Sequence, residues 1–167
     1  MKKYDSTEDV KAHIARVAFW VEWICDALMY RASVHDASKL LPPEKEVFDE
    51  YTPKLKELEF GSDEYKAALA GMGEGLQHHY KNNPHHPEYF VSGIDGMGVV
   101  DLVEMIADWM AAASVKDQKI DLDYLQDRFG LSDQLRSIIW NTLNVADMDA
   151  TSMNIPHEYE QRHNFAE

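Results

Sequence analysis

Four of the eight histidines fall within nine residues: His78, His79, His85 and His86, in the stretch LQHHYKNNPHHPEYF (Leu76–Phe90). Neutral imidazole is the commonest protein ligand for zinc, iron, manganese and related metals. A chain does not need such a cluster in order to fold, and a single surface His pair is ordinarily a polar helix end. Here two pairs coincide with His35-Asp36 upstream and with Asp101, Glu104 and Asp108 downstream. Those three acids repeat at i, i+3 and i+7 on one helical face, where like charges repel unless water or a cation answers them. Mixed imidazole and carboxylate donors suit Mn, Fe, Co, Ni or Zn rather than Mg alone. One or two divalent ions are the expected cofactor.

Helices must position these groups. Val10, Ile14, Val17, Val21, Ile24 and Leu28 recur at steps of three and four, a strong amphipathic signal, and His13 borders their stripe. Ser6 or Thr7 can cap that helix. Pro43 can open a short helix, Pro43–Tyr51, that Pro53 limits; its Glu44, Glu46, Asp49 and Glu50 read as a solvated face. Ser62 starts another helix, on which Tyr65, Leu69, Met72, Leu76 and His79 share one face. His79 then points with the core, and His78 lies about 100° round. Gly71, Gly73 and Gly75 weaken this helix and suggest close packing or a kink. Asn82-Asn83-Pro84 ends it, and His85-His86-Pro87 is extended because a residue before proline avoids the helical region. Val99–Val115 reads as a helix buried on most sides, followed by helices over Asp121–Phe129 and Ser132–Val145. The tail from Asp147 is polar, with His157, Tyr159 and His163 expected to be peripheral. No period-2 strand, internal repeat, P-loop or dinucleotide fingerprint occurs, so the fold class is all-α.

At 167 residues the chain suits one domain, 1–167, with 45% hydrophobic residues to build its core. No apolar run is long enough to span a membrane. The N-terminus MKKYDSTEDVK lacks the apolar region of a signal peptide, and the single Cys25 cannot form an internal disulfide. A cytoplasmic protein is expected. The net charge of −14 repels a phosphate polymer, so no nucleic-acid partner is expected. A mononucleotide is compatible, since a bound metal and a few local cations overcome the mean field. A homo-oligomer remains open.

The order His13, His35-Asp36, His78-His79, His85-His86, Asp108 resembles the HD-domain superfamily of metal-dependent phosphohydrolases. Its pattern is H…HD…D on an all-helical fold, with extra histidines in two-metal members. HDASKLLPPE looks like that superfamily's HD-x-(G/S)-K segment. The longer string of HD-x-SK, HHYKNNPHHPEYF, DGM and DLVEMIADWMAA is similar to a small bacterial and phage family known only as a domain of unknown function. The likeness covers about residues 8–115, and residues 116–167 carry none. It implies an HD-like helical bundle with a metal site between its central helices. His13, His35, Asp36 and Asp108 would form the primary metal site. His79, with His85 or His86, would hold a second metal or contact substrate, and Lys39 would lie near a substrate phosphate. Lys39, His79 and His86 are then the candidate catalytic residues, and His13, His35, Asp36, His79, His85 and Asp108 the candidate metal ligands. The implied activity is hydrolysis of a phosphorylated small molecule, a nucleotide first among them, through a metal-activated water. Some HD-fold proteins with a similar ligand set instead use two irons to activate oxygen. A non-catalytic module that binds a metal or nucleotide is the third possibility.

His13 and His35 are 22 residues apart, about 33 Å on one continuous helix. Either the chain turns back around Val21–Leu28, where no Gly or Pro marks a turn, or His13 is not a ligand. The ligand pattern favours the reversal.

Overall fold

The computed structural model describes residues 4–59, 61–116 and 119–145. Among them the protein is all-helical, with no strand. The order is α1 (Thr7–Val34), a 3-10 turn at Ala37–Leu40, α2 (Glu44–Lys56), α3 (Asp63–Gly71) and α4 (Gly73–Asn82). Short 3-10 turns at Pro87–Tyr89 and Gly93–Gly96 lead to α5 (Val99–Lys116), α6 (Leu122–Phe129) and α7 (Asp133–Val145). No helix among the described residues is long and apolar enough to cross a membrane. The tail histidines 157 and 163 lie outside the described residues.

The chain divides into two compact units, Met1–Val34 and His35–Glu167. The first is α1, a single unbroken helix with no fully buried residue. The reversal expected near Val21–Leu28 is absent. Nothing in that segment interrupts the backbone hydrogen-bond ladder, and the helix runs on to Val34.

The second unit holds the rest. The Ser62 hydroxyl caps α3 by accepting from the Tyr65 amide. The expected weakness of the glycine-rich stretch is a real break: α3 ends at Gly71 and α4 begins at Gly73, whose φ of +54° favours glycine. Gly75 serves a different purpose. A Cβ there would stand 2.7 Å from Val47 Cγ2, so α2 and α4 approach more closely than any side chain at 75 permits. Pro53 does not limit α2, which continues to Lys56 with the proline inside it. The hydrogen bond that proline cannot make belongs to the carbonyl of Asp49, and both residues are exposed, which lowers the cost of losing it.

Asp121 caps α6, accepting from the amides of Asp123 and Tyr124. Leu122, Leu125, Leu131 and Ile139 form the buried core of this end, with Ile106, Trp109 and Phe129 packed against them. That core packs against α5 at Ile106 and Trp109, and the same helix carries Glu104 and Asp108.

Candidate metal centre

The centre begins at the corner that follows α1. Asp36 adopts the left-handed conformation, φ 56° and ψ 12°, which Asp tolerates better than most residues. The corner lets two adjacent side chains converge: His35 Nε2 lies 3.5 Å from Asp36 Oδ2. Lys39 folds back one turn later, with Nζ 2.5 Å from the same oxygen and 4.7 Å from the centre of the Phe48 ring.

The other face of Asp36 meets the histidine cluster. Its Oδ1 is 3.3 Å from His79 Nε2 and 3.4 Å from His85 Nε2. His86 Nε2 is 2.9 Å from His79 Nε2. Proline 87 holds His86 extended, at φ −99° and ψ 129°, so the loop turns both of its imidazoles back toward α4. His79 and His85 are each 1% exposed.

Two buried glutamates hold these rings from behind. Glu44 is fully buried. Its Oε1 accepts from His78 Nδ1 at 2.7 Å, and its Oε2 accepts from His79 Nδ1 at 2.9 Å and from Ser38 Oγ at 2.8 Å. The Asn83 amide gives its two hydrogens to the His79 carbonyl and to Ser38 Oγ, each at 2.8 Å. The Nδ1 hydrogen of His79 is therefore left for Glu44, and Nε2 carries the lone pair. Glu104 Oε1 does the same for two rings, 2.9 Å from His35 Nδ1 and 3.3 Å from His85 Nδ1. A carboxylate behind a histidine fixes its tautomer and raises its basicity toward a metal.

Three groups of side chains have donor atoms close enough to share an ion: Asp36, His79, His85 and His86; His35, Asp36 and Asp108; and His35, His85 and Glu104. The third we read as a hydrogen-bonded bridge, because Glu104 faces two Nδ1–H groups. The first fits a metal on three counts. Asp36 Oδ1 and His85 Nε2 are buried with no hydrogen-bond partner. Two imidazole nitrogens face each other. The 3.3 and 3.4 Å spacings match the roughly 3.3 Å between donors around a tetrahedral ion with bonds of about 2.0–2.1 Å. In the second group His35 Nε2 is 3.6 Å from Asp108 Oδ1, and its donors are one nitrogen and two oxygens.

Burial disfavours charge on His35, His79, His85 and His86, and the neighbours decide the outcome. For His35, Asp108, Glu104 and Asp36 outweigh burial and raise the ring to about 10. Asp36 and Glu104 likewise raise His85 against its burial. Burial, then Lys39, lowers His79. Burial, then His85 and His79, hold His86 down at about 2. Burial also opposes the charge on Asp36, yet His85, Lys39 and His35 keep its carboxyl well below the usual carboxylate range.

A pocket of about 800 Å³ opens onto the centre. Lys39, His79, His86 and Asp108 lie in its wall, and Trp109 and Arg128 lie further along it. Trp109 stacks on Phe129 with centroids 5.7 Å apart, and Arg128 donates to the Tyr80 hydroxyl at 3.2 Å.

A family of unknown function, DUF5662, matches residues 2–145. The chain belongs to DUF5662. No curated protein and no solved structure matches it. In this DUF5662 chain, His35, Asp36, Lys39, His79, His85, His86 and Asp108 come together as neighbours. His13 does not join them by the expected route: α1 is unbroken, and His13 stands about 32 Å along it from Val34. His13 is in none of the ligand groups among the described residues. Glu44, read from the sequence as part of a solvated face, is instead the most deeply buried acid of the site. Asn83 and Ser38 support it. The sequence signal for Glu44 was slight: an acid directly after Pro42-Pro43, at the start of a helix.

Proposed function

We propose that this DUF5662 protein is a metal-dependent phosphohydrolase of the HD type, acting on a phosphorylated small molecule, with a nucleotide as the first candidate. The observation that carries this reading is Asp36. One of its oxygens faces three imidazole nitrogens, and the other faces His35 Nε2 beside Asp108. A single carboxylate shared between two donor groups is suited to two ions. The nitrogen-rich group of His79, His85, His86 and Asp36 suits Zn, Fe, Co or Mn, and the oxygen-rich group of His35, Asp36 and Asp108 suits Mn or Mg. Metal ions there supply a water of lowered pKa and neutralise phosphoryl charge.

The chain's own groups do the rest. Lys39 sits where a phosphate approaching Asp36 and Asp108 would meet a positive charge, and its stem is braced on Phe48. Glu44 and Glu104 hold the Nδ1 hydrogens, so it is Nε2 of each ring that faces the donor groups, His79 with a lone pair and His35 and His85 once a metal displaces their protons. Trp109 offers the pocket a flat apolar wall for the organic part of the substrate. Exposed, unpaired Cys25 suits a reducing cytoplasm.

Elemental analysis of the purified protein, followed by a nucleotide hydrolysis screen with Mn or Co, tests this. Bound transition metal and metal-dependent release of phosphate are expected. Metal without phosphatase activity refutes the assignment. Two irons in anaerobically purified protein, with no phosphatase activity, would favour the alternative of a di-iron oxygenase, which a shared carboxylate between two donor groups also suits.

A further inference from the structure

Helix α1 carries a seam that nothing in its own unit covers. Val10, Ile14, Val17, Val21, Ile24 and Leu28 alternate in steps of four and three, the 3.5-residue spacing by which two helices interlock. The first five are 43–61% exposed, and Trp20 beside them is 60% exposed. Trp20 is stiffened by edge contacts with Phe19 and Trp23, at 5.2 and 6.2 Å. A helix apolar over this much of its circumference is ordinarily buried.

We propose that α1 pairs antiparallel with α1 of a second copy of this chain. The seam is self-complementary in that direction. Val10 meets Leu28 of the second copy, Ile14 meets Ile24, and Val17 meets Val21, which uses all six residues in three kinds of layer. Charge sets the direction. The first turn is acidic, with Glu8 and Asp9, and the last turn is basic, with Arg31. Antiparallel pairing sets each acidic end against the basic end of the other copy, whereas parallel pairing sets like against like. Charge also favours this surface over others. The chain carries −14 in all, but α1 has four acids (Glu8, Asp9, Glu22, Asp26) against three bases (Lys11, Arg16, Arg31), so two copies meet here with little repulsion. Covering the exposed seam residues and Trp20 removes roughly 600–700 Å² from each chain, close to the about 800 Å² per partner of a standard specific interface.

Sedimentation velocity on the full chain at tens of micromolar tests the pairing. The expected mass is twice 19.2 kDa. Val17→Glu with Val21→Glu, which brings four carboxylates together at the two-fold axis, should give a monomer of unchanged metal content. A monomeric wild type overturns the proposal. A dimer that survives the double substitution overturns it as well. Cysteine cross-linking in a Cys25→Ala background tests the direction independently. Ile14→Cys and Ile24→Cys should each fail to cross-link alone, because the like residues lie about 15 Å apart along the axis. A mixture of the two should form the disulfide dimer. Efficient cross-linking of either variant alone overturns the antiparallel arrangement.

Discussion

The Nε2 atoms of His79 and His86 face each other at 2.9 Å. Two imidazole nitrogens at that distance share either a proton or a cation. A proton answers only these two atoms. Asp36 Oδ1 and His85 Nε2, buried beside them without hydrogen bonds, complete a set of four donor atoms that one cation could contact together. Removing one ring tests this directly. His79→Ala should release metal and cut turnover by roughly two to four orders of magnitude, the range for losing a group that acts on protons or a ligand that orders them. His163→Ala, outside the described residues, should stay near wild type. Equal, near-wild-type activity in the two variants would remove the histidine cluster from the chemistry.

Asp36→Asn separates charge from backbone. Asparagine tolerates the left-handed corner as aspartate does, so the turn from α1 into Ala37–Leu40 should survive. The shared carboxylate is lost from both donor groups. Metal content after dialysis, read by mass spectrometry, should fall for both ions together, and far-ultraviolet dichroism should be unchanged. A variant that keeps its full metal complement would show that Asp36 is not a ligand.

Glu44→Gln keeps the volume but places an amide N–H or a weaker acceptor against two imidazole hydrogens and a serine hydroxyl. Losing such a carboxylate behind a ligand typically weakens metal binding by about 10–100-fold. Leaving a buried polar group unsatisfied also costs about 1–3 kcal/mol of stability. Chelator competition and denaturant melts read these separately. Wild-type metal affinity in this variant would reduce Glu44 to a packing residue.

Acid and base should destabilise the chelator-treated protein through different rings. His86 is held neutral, with its value depressed to about 2. The unfolded chain therefore binds the extra proton, and stability falls as pH drops from about 6.5 toward 2. His35 is raised to about 10, so its contribution is fully present below about 6.5 and is lost as pH rises toward 10. Melting temperature in EDTA should peak near neutrality. Added metal should move the peak upward, because His35 must give up its proton to bind an ion. A melting temperature that climbs steadily to pH 9 in EDTA would contradict the ring assignments.

Much of this was legible in local sequence. The three-and-four spacing of apolar residues marks α1, and the helices read over Val99–Val115, Asp121–Phe129 and Ser132–Val145 fall within a residue of α5, α6 and α7. The glycine run marks the α3–α4 break, and the shared face of Leu69, Met72, Leu76 and His79 puts that histidine inside. The gathering of the histidines with His35-Asp36 follows from the prolines that stiffen the loop between α4 and Tyr89. Two residues resisted for opposite reasons. His13 was drawn toward the site by a ligand pattern, although its own segment holds no residue that would break a helix, and local propensity prevailed. Glu44 looked like its acidic neighbours on α2, because the partners that bury it, His78 and His79, lie 34 and 35 positions away. A short helical window carries no trace of a contact that long.

Gly75 lies one turn before His79 on α4, and Val47 lies one turn after Glu44 on α2. The 2.7 Å that a Cβ at position 75 would leave to Val47 is thus measured one turn from the Glu44–His79 hydrogen bond. At 2.9 Å that bond has little slack before it ceases to be one. The two helices work as calipers, and the hydrogen atom that glycine has in place of a side chain sets their opening. A single methyl at Gly75 would part the jaws and pull the carboxylate off the imidazole without touching a polar atom. The tuning of the centre therefore reaches into a contact between two apolar surfaces that a search for chemical groups would pass over.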